Sequence, residues 1–74
     1  MRDIMDVVIK FLQTCGTCVV VMKSDFLYRF IYNGKDLQFK KYGDTEWFCD
    51  RISLIVGEDS VERAVEVICA FDSP

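Results

Sequence analysis

Cysteine is the residue type in this sequence with the most obvious chemistry, and Cys15-Gly16-Thr17-Cys18 matches the Cys-x-x-Cys motif of thiol oxidoreductases. In such enzymes the reactive cysteine lies at the N-terminus of a helix, where the helix dipole stabilises the thiolate. Here the pair follows a predicted helix, so the partial negative charge at that helix end should raise the pKa of a thiol. We therefore expect these thiols to pack as small apolar groups and not to act in redox chemistry.

A zinc site would need all four cysteines, because the chain contains no histidine that could complete a mixed ligand set. Cys49 and Cys69 lack the spacing of a zinc-ligand pair, and each falls on the apolar flank of a predicted helix. Nothing in the sequence points to an oxidising compartment, so disulfides are not expected either. We expect no metal and no cofactor.

General acid–base and nucleophilic catalysis also lack their usual residues. Histidine, the commonest base near neutral pH, is absent, and there is no glycine-rich phosphate loop. The carboxylates fall at predicted helix caps and on solvent-facing helix surfaces, where they ordinarily favour solubility and interact with the helix dipole. The sequence thus predicts that the protein is not an enzyme.

Charge is unevenly distributed along the chain of 74 residues, whose formal net charge is −3. From Lys23 to Lys41 five basic residues outnumber two acidic ones, whereas from Tyr42 onward eight acidic residues outnumber two basic ones. This polarity predicts two candidate partner-binding sets. The acidic set comprises Asp44, Glu46, Asp50, Glu58, Asp59 and Glu62, and the basic and aromatic set comprises Arg29, Lys40, Lys41 and Tyr42.

The first residues do not predict a signal peptide, since Asp3, Asp6 and Lys10 interrupt any apolar stretch. No apolar run reaches the ~18–20 residues that a membrane span needs. We expect a cytoplasmic protein that does not bind membranes. At this length, residues 1–74 should form a single compact domain.

The predicted elements begin with an amphipathic helix over residues 3–15, which Asp3 caps and Gly16 ends in a left-handed conformation. Its expected apolar face comprises Ile4, Val7, Val8, Phe11 and Cys15. The β-branched stretch from Thr17 to Met22 then predicts a buried strand.

The strongest local signal is Asn33-Gly34, the pair best suited to the positive φ angles of a type I′ hairpin turn. Alternating residues on either side predict a hairpin over residues 26–42. The expected cross-strand pairs are Phe30 with Leu37 and Tyr28 with Phe39. The expected core side carries Phe26, Tyr28, Phe30, Tyr32, Leu37 and Phe39, and the other side carries Leu27, Arg29, Ile31, Gln38, Lys40 and Tyr42.

Residues 45–56 fit two patterns. The helical pattern comprises Phe48, Ile52, Ile55 and Val56, and the alternating pattern of a strand comprises Ile52, Leu54 and Val56. We expect a helix here, with Asp44 as its cap and Gly57 as its end.

A second helix should follow, with Asp59 as its N-cap and Glu62 as the capping-box partner. Its apolar stripe comprises Val61, Ala64, Val65, Ile68 and Phe71. Only residues 72–74 are expected to fray. The predicted fold is therefore α+β: a helix, a three-stranded antiparallel meander sheet, and two C-terminal helices packed on one face of that sheet.

This element order in a short acidic chain resembles that of small phage-encoded anti-CRISPR proteins that inhibit Cas9. The resemblance depends on the predicted helix from Asp3 to Leu12, on Asn33-Gly34, and on Asp44-Thr45-Glu46 at the start of the helical pair. It implies a protein that binds a host nuclease and competes with the nucleic acid of that nuclease.

We expect a non-enzymatic interaction protein, and the resemblance implies a phage or mobile-element inhibitor that works through its acidic helices and hairpin edge. One alternative is a small nucleic-acid-binding module that uses Arg29, Lys40, Lys41 and Tyr42, because cations and aromatic rings on a sheet can pair with phosphates and stack on bases. Another alternative is a homodimer whose sheets or helices pack together.

Overall fold

The computed structural model describes residues 3–71, which form an antiparallel five-stranded sheet with two helices on one of its faces. The elements are α1 (Ile4–Cys15), β1 (Cys18–Lys23), β2 (Leu27–Tyr32), β3 (Lys35–Tyr42), β4 (Glu46–Cys49), β5 (Leu54–Val56), a 3-10 turn (Glu58–Ser60) and α2 (Val61–Ala70). Consecutive strands are neighbours in the sheet, so β1 and β5 are its edges. The α+β class and the meander are confirmed. The expected fraying of residues 72–74 lies outside the described residues.

The helix expected over residues 45–56 is wrong, because this segment forms β4 and β5 and extends the sheet from three strands to five. Trp47 and Cys49 alternate into the core from β4, and Leu54 and Val56 do so from β5. The apolar residues of two strands this short also fit the spacing of a helix. Backbone pairing of β4 with β3 selects the strand conformation.

The residues expected to cap that helix therefore have other positions. Asp44 is exposed in the turn between β3 and β4, next to Gly43, whose φ is 70°. Gly57 follows β5 and leads into the 3-10 turn. The loop between β4 and β5 reverses at Ser53, whose φ is 51°.

The C-terminal part of the described chain has one α-helix where two were expected. Asp59, the expected N-cap, lies within the 3-10 turn, and α2 begins at Val61 after Ser60. Glu62 is an exposed residue of the first turn of α2. The apolar stripe is confirmed: Ala64 and Ile68 are fully buried, and Val61, Val65 and Phe71 pack against the core.

Helix α1 has the expected bounds, and Asp3 caps it by accepting a hydrogen bond from the backbone N–H of Met5 at 3.1 Å. Its core face is rotated from the expected one. The buried residues are Met5, Val8, Ile9 and Leu12, whereas Phe11 is 49% exposed. Gly16 ends the helix in an extended conformation, with φ at −179°, and not in the left-handed one.

Strand β1 forms where a strand was expected, but the expected burial is wrong. Only Cys18 is buried, and every residue from Val19 to Lys23 is exposed. The strand lies at the edge of the sheet, so it has only one neighbouring strand, β2. Its pairing with β2 shifts register between Val20 and Met22, which marks a β-bulge.

The hairpin of β2 and β3 is confirmed. Asn33 and Gly34 have φ values of 48° and 82°, as a type I′ turn requires. Phe30 pairs with Leu37 and Tyr28 with Phe39, and the aromatic side faces the core. Phe26 is the exception, since it precedes β2 and is 68% exposed.

The core lies between the helices and the aromatic side of the hairpin. The rings of Phe30 and Phe39 stack with their centroids 5.7 Å apart, and Trp47 is fully buried. Lys35, the first residue of β3, donates hydrogen bonds to the carbonyls of Ile68 and Phe71 at the C-terminal end of α2. A cation there complements the negative end of the helix dipole.

Candidate functional site

The helices cover one face of the sheet and leave the other face, here called the open face, uncovered among the described residues. Side chains directly opposite each other on antiparallel strands share a face, so the strand register identifies its members. The open face comprises Val19, Met22, Leu27, Arg29, Ile31, Asp36, Gln38, Lys40, Tyr42, Glu46, Phe48 and Ile55. More than half of these side chains are apolar.

An apolar cluster lies at the β3–β5 end of the open face. Tyr42 is 52% exposed and Ile55 43% exposed, and Phe48 is partly buried between them. The rings of Tyr42 and Phe48 have centroids 6.2 Å apart and are tilted by 45°. Phe48 pairs with Ile55 on one side and with Lys40 on the other, so a cation borders the cluster.

The centre of the open face carries an ion pair between Arg29 and Asp36. Nε of Arg29 donates to Oδ1 of Asp36 at 2.9 Å, and Nη2 donates to Oδ2 at 2.5 Å, a bidentate arrangement. The hydrogen bond from Arg29 lowers the pKa of the Asp36 carboxyl below its ordinary value. The carboxylate of Asp36 therefore already balances the positive charge of the Arg29 guanidinium.

A broad, solvent-open concavity of about 660 Å³ extends from this ion pair to the C-terminal end of β4. Its lining comprises Asp36, Gln38, Lys40, Phe48, Asp50 and Arg51. Arg51 donates a hydrogen bond to the backbone carbonyl of Asp36 at 2.8 Å. Two carboxylates and two cations line this concavity, so its charge is balanced.

Three of the predicted carboxylates meet in a second concavity of about 310 Å³, here called the acidic cleft. Its lining comprises Thr45, Glu46, Gly57, Glu58, Asp59 and Ser60. A Cβ at Gly57 would lie 3.3 Å from Oε2 of Glu46, so the glycine leaves room for that carboxylate. Glu46, Glu58 and Asp59 are all exposed. Within residues 3–71 none of the three takes part in an ion pair.

The remaining predicted acidic residues lie elsewhere. Asp50 lines the open-face concavity, and Asp44 lies in the turn after β3. Glu62 lies on α2 beside Phe11, on the helical side of the molecule. The structure thus gathers Glu46, Glu58 and Asp59 and separates the other three.

The basic and aromatic set is divided between the two faces of the sheet. Arg29, Lys40 and Tyr42 share the open face. Lys41 points to the opposite face, where its Nζ lies 4.9 Å from the centroid of the Trp47 ring. Sequence reasoning misses Phe48 and Ile55 as surface residues, because the helical pattern puts both on the apolar side of a helix. The alternation that identifies a strand over residues 54–56 was the available signal.

The four cysteines are dispersed. Cys15 ends α1 and is exposed, so its expected packing as a small apolar group is wrong. Cys18 begins β1 and is buried as expected, and burial raises the pKa of its thiol. Cys49 is buried in β4 and not on a helix, and burial likewise raises its pKa. Cys69 on α2 is exposed, which contradicts the expected packing role. Among residues 3–71 no three Cys, Asp or Glu side chains are arranged to hold a metal ion.

One thiol has a specific polar contact. The hydroxyl of Tyr32 lies 3.5 Å from Sγ of Cys69. This hydrogen bond, together with the burial of the phenol, raises the pKa of Tyr32 to about 12. Tyr32 is therefore a neutral structural residue that links the hairpin to α2.

Comparison of the chain with protein families, with curated proteins and with solved structures found no match. Within residues 3–71 no helix has both the length and the apolar character that crossing a membrane requires. The functional argument therefore depends on the surfaces described above.

Proposed function

We propose that the protein is a non-enzymatic protein-binding domain and that its partner covers the open face of the sheet. The observation that carries the proposal is the exposed cluster of Tyr42, Phe48 and Ile55 on that face. Residues along an antiparallel strand usually alternate, with apolar side chains toward the core and polar side chains toward solvent. Aromatic residues bordered by charged groups are instead characteristic of protein interfaces, where they act as anchors.

The charge of the open face favours a protein over a nucleic acid. Arg29 and Lys40 are balanced by Asp36 and Glu46, and the Arg29 guanidinium is held by the Asp36 carboxylate. Nucleic-acid-binding surfaces need an excess of free cations to contact phosphates. A protein surface of mixed charge fits the open face better.

The acidic cleft adds a preference for basic partners. Glu46 lies opposite Tyr42 on the open face, so the cleft adjoins the aromatic cluster. A partner that inserts an apolar side chain against Tyr42 could place lysine or arginine against Glu46, Glu58 and Asp59. Basic surfaces of this kind occur on nucleic-acid enzymes, and this supports the inhibitor hypothesis that the anti-CRISPR resemblance raised.

Affinity capture from cells that express the protein tests the proposal. Tyr42→Ala and Phe48→Ala should each weaken capture of a specific partner, since the loss of an aromatic anchor costs ~2 kcal/mol or more, roughly 30-fold in affinity. Phe11→Ala is the matched control, because Phe11 is an exposed aromatic residue on the helical side. If no protein is enriched above a bead control, or if all three variants capture the same amount, the proposal is wrong.

The inhibitor hypothesis has a direct assay. We expect purified protein to reduce DNA cleavage by Cas9, and charge reversal in the cleft (Glu46→Lys with Glu58→Lys) to abolish the reduction. Glu62→Lys with Glu66→Lys, which reverses the same number of charges on α2, is the control for net charge. Cleavage that is unchanged at saturating protein would exclude Cas9 as the target without excluding other protein partners.

A second candidate function is the binding of single-stranded nucleic acid, which the shared face of Lys40, Tyr42 and Phe48 favours. Bases could stack on the two rings while Lys40 contacts a phosphate. Fluorescence anisotropy with labelled DNA and RNA oligonucleotides at low salt tests it, because phosphate contacts are strongest there. The absence of binding at low salt would reject this function.

A further inference from the structure

Strand β1 is an edge strand with an unusually apolar surface. Its exposed aliphatic residues are Val19, Val20, Val21 and Met22, with exposed fractions of 56, 38, 49 and 45%. Edge strands usually carry charged or proline residues that discourage pairing with another chain. From Cys18 to Met22 this strand carries neither.

The hydrogen bonds at the two ends of β1 determine which of its backbone groups face outward. Asn33 donates its N–H to the carbonyl of Thr17, and Ser24 donates its N–H to the carbonyl of Leu27. Hydrogen-bonded and non-hydrogen-bonded pairs alternate along an antiparallel ladder. When this alternation is followed inward from both ends of β1 in the observed register, the backbone groups of Val19 and Met22 are those that hydrogen-bond to β2. The N–H and C=O groups of Cys18 and Val20 therefore point away from β2. The Cys18 carbonyl accepts one long hydrogen bond from Nε2 of Gln13 at 3.4 Å, which the backbone of a second copy would replace.

The edge of β1 is self-complementary, because Cys18 and Val20 each present one N–H and one C=O, and this favours a second copy of this chain as its partner. The chain carries a net charge of −3, so two copies repel each other wherever their carboxylates meet. The acidic cleft and the open face both carry carboxylates, whereas the exposed stretch of β1 is uncharged. Two copies can approach through β1 without that repulsion.

We propose that β1 pairs with β1 of a second copy across a two-fold axis, in an antiparallel arrangement centred on Val19. In this register Cys18 of each copy exchanges backbone hydrogen bonds with Val20 of the other. The two Val19 side chains lie side by side on the open face, next to Ile31 of each copy. The two sheets then form one continuous sheet of ten strands, and the symmetry closes at a dimer.

The dimer should be weak, because the regular part of the strand is short. The bulge between Val20 and Met22 bends β1 and ends the regular pairing there. Stable interfaces usually bury about 800 Å² per partner, and pairing over a few residues buries less. We therefore expect a concentration-dependent equilibrium between monomer and dimer.

Sedimentation equilibrium of the whole chain over roughly 5 µM to 500 µM measures this equilibrium. Val19→Lys brings two like charges together at the axis and should weaken the dimer about tenfold or more. Phe11→Lys is the matched control, since it places the same charge at a comparably exposed apolar residue on the helical side of the molecule. Its dimerisation should equal that of the wild type.

Val20→Pro provides a second variant that tests the backbone pairing itself. The Val20 N–H points outward, so proline there removes a donor to the second copy and no hydrogen bond to β2. The variant should stay folded by circular dichroism and lose the dimer. A monomer over the whole concentration range, larger aggregates without a dimer, equal weakening by Phe11→Lys, or a Val20→Pro variant that dimerises like the wild type would each overturn the proposal.

Discussion

The indole N–H of Trp47 donates a hydrogen bond to Oδ1 of Asp3 at 3.1 Å, and the same oxygen accepts the backbone N–H of Met5 in the first turn of α1. Trp47 is fully buried, so this bond satisfies a donor that would otherwise be unpaired in the core. One carboxylate oxygen therefore caps the first helix and joins it to β4, 44 residues away.

The Asp3 contact predicts a large effect from a small substitution. Asp3→Ala should lower the free energy of unfolding by about 2–3 kcal/mol, because it removes the cap and leaves the buried indole N–H unpaired. Asp3→Asn keeps an acceptor oxygen in the same position and should cost less than about 1 kcal/mol. Urea denaturation of both variants measures the difference, and equal losses would show that the oxygen has no such double role.

A side chain introduced at Gly16 would clash with one neighbouring side chain, that of Asn33. A Cβ at Gly16 would lie 2.6 Å from Oδ1 of Asn33, the same oxygen that accepts the N–H of Thr17 at 2.9 Å. Gly16→Ala must displace this amide and should cost about 1–3 kcal/mol of stability.

The Asn33 side chain can be removed without losing the turn between β2 and β3. Asn33→Gly keeps the positive φ of the hairpin turn and deletes the side chain that meets the new methyl group. In that background Gly16→Ala should be neutral or stabilising by up to about 1 kcal/mol, because alanine restricts the unfolded chain. Thermal or urea unfolding of the four proteins gives the coupling, and the same cost in both backgrounds would contradict the proposed contact.

The Arg29–Asp36 pair predicts how acid affects the protein. Folding lowers the pKa of Asp36, so the carboxylate contributes stability above its unfolded pKa and loses that contribution as the pH falls through its folded pKa. Arg29→Gln should raise the pKa of Asp36 in an NMR titration. The variant and the wild type should differ in unfolding free energy near pH 7 and converge near pH 2. An unchanged Asp36 titration would contradict the ion pair.

Two tyrosines predict the behaviour of the protein in alkali. Burial and a hydrogen bond to Asp6 raise the pKa of Tyr28, and the bond to Cys69 with burial raises the pKa of Tyr32 to about 12. Phenols with raised pKa contribute stability that is complete below the ordinary tyrosine pKa of about 10 and lost as the pH rises through the folded value.

Ultraviolet absorbance of phenolate measures these titrations. We expect two of the three tyrosines to ionise only at the pH at which the fold is lost, and urea unfolding to become easier above about pH 10. Tyr32→Phe should reduce this dependence on pH. Early ionisation of all three tyrosines in the folded protein would show that the two phenols are not held in the core.

The hairpin could be predicted from the sequence because a single local cause determines it. Asn33-Gly34 fits one turn type, the turn fixes the register, and the register fixes the faces. The sequence alone therefore predicts that Arg29, Lys40 and Tyr42 share one side of the hairpin. Half of the open face followed from that assignment.

The other half depended on contacts between distant segments. Residues 45–56 satisfy both periodicities, and their state is decided by the free edge of β3, which local sequence does not reveal. For this reason the sequence alone predicts a helix for Phe48 and Ile55. The rotation of α1 has a similar origin: Phe11 and Leu12 are both apolar, and only the shape of the core selects Leu12 for burial.

Lys35 joins the hairpin to the C-terminal end of α2. Its ammonium group binds carbonyls 33 and 36 residues further along the chain, so the final turn of α2 is held by a residue supplied by the middle of the protein. A substitution at Lys35 would therefore act on a distant part of the sequence, because it would leave these two carbonyls without their cation.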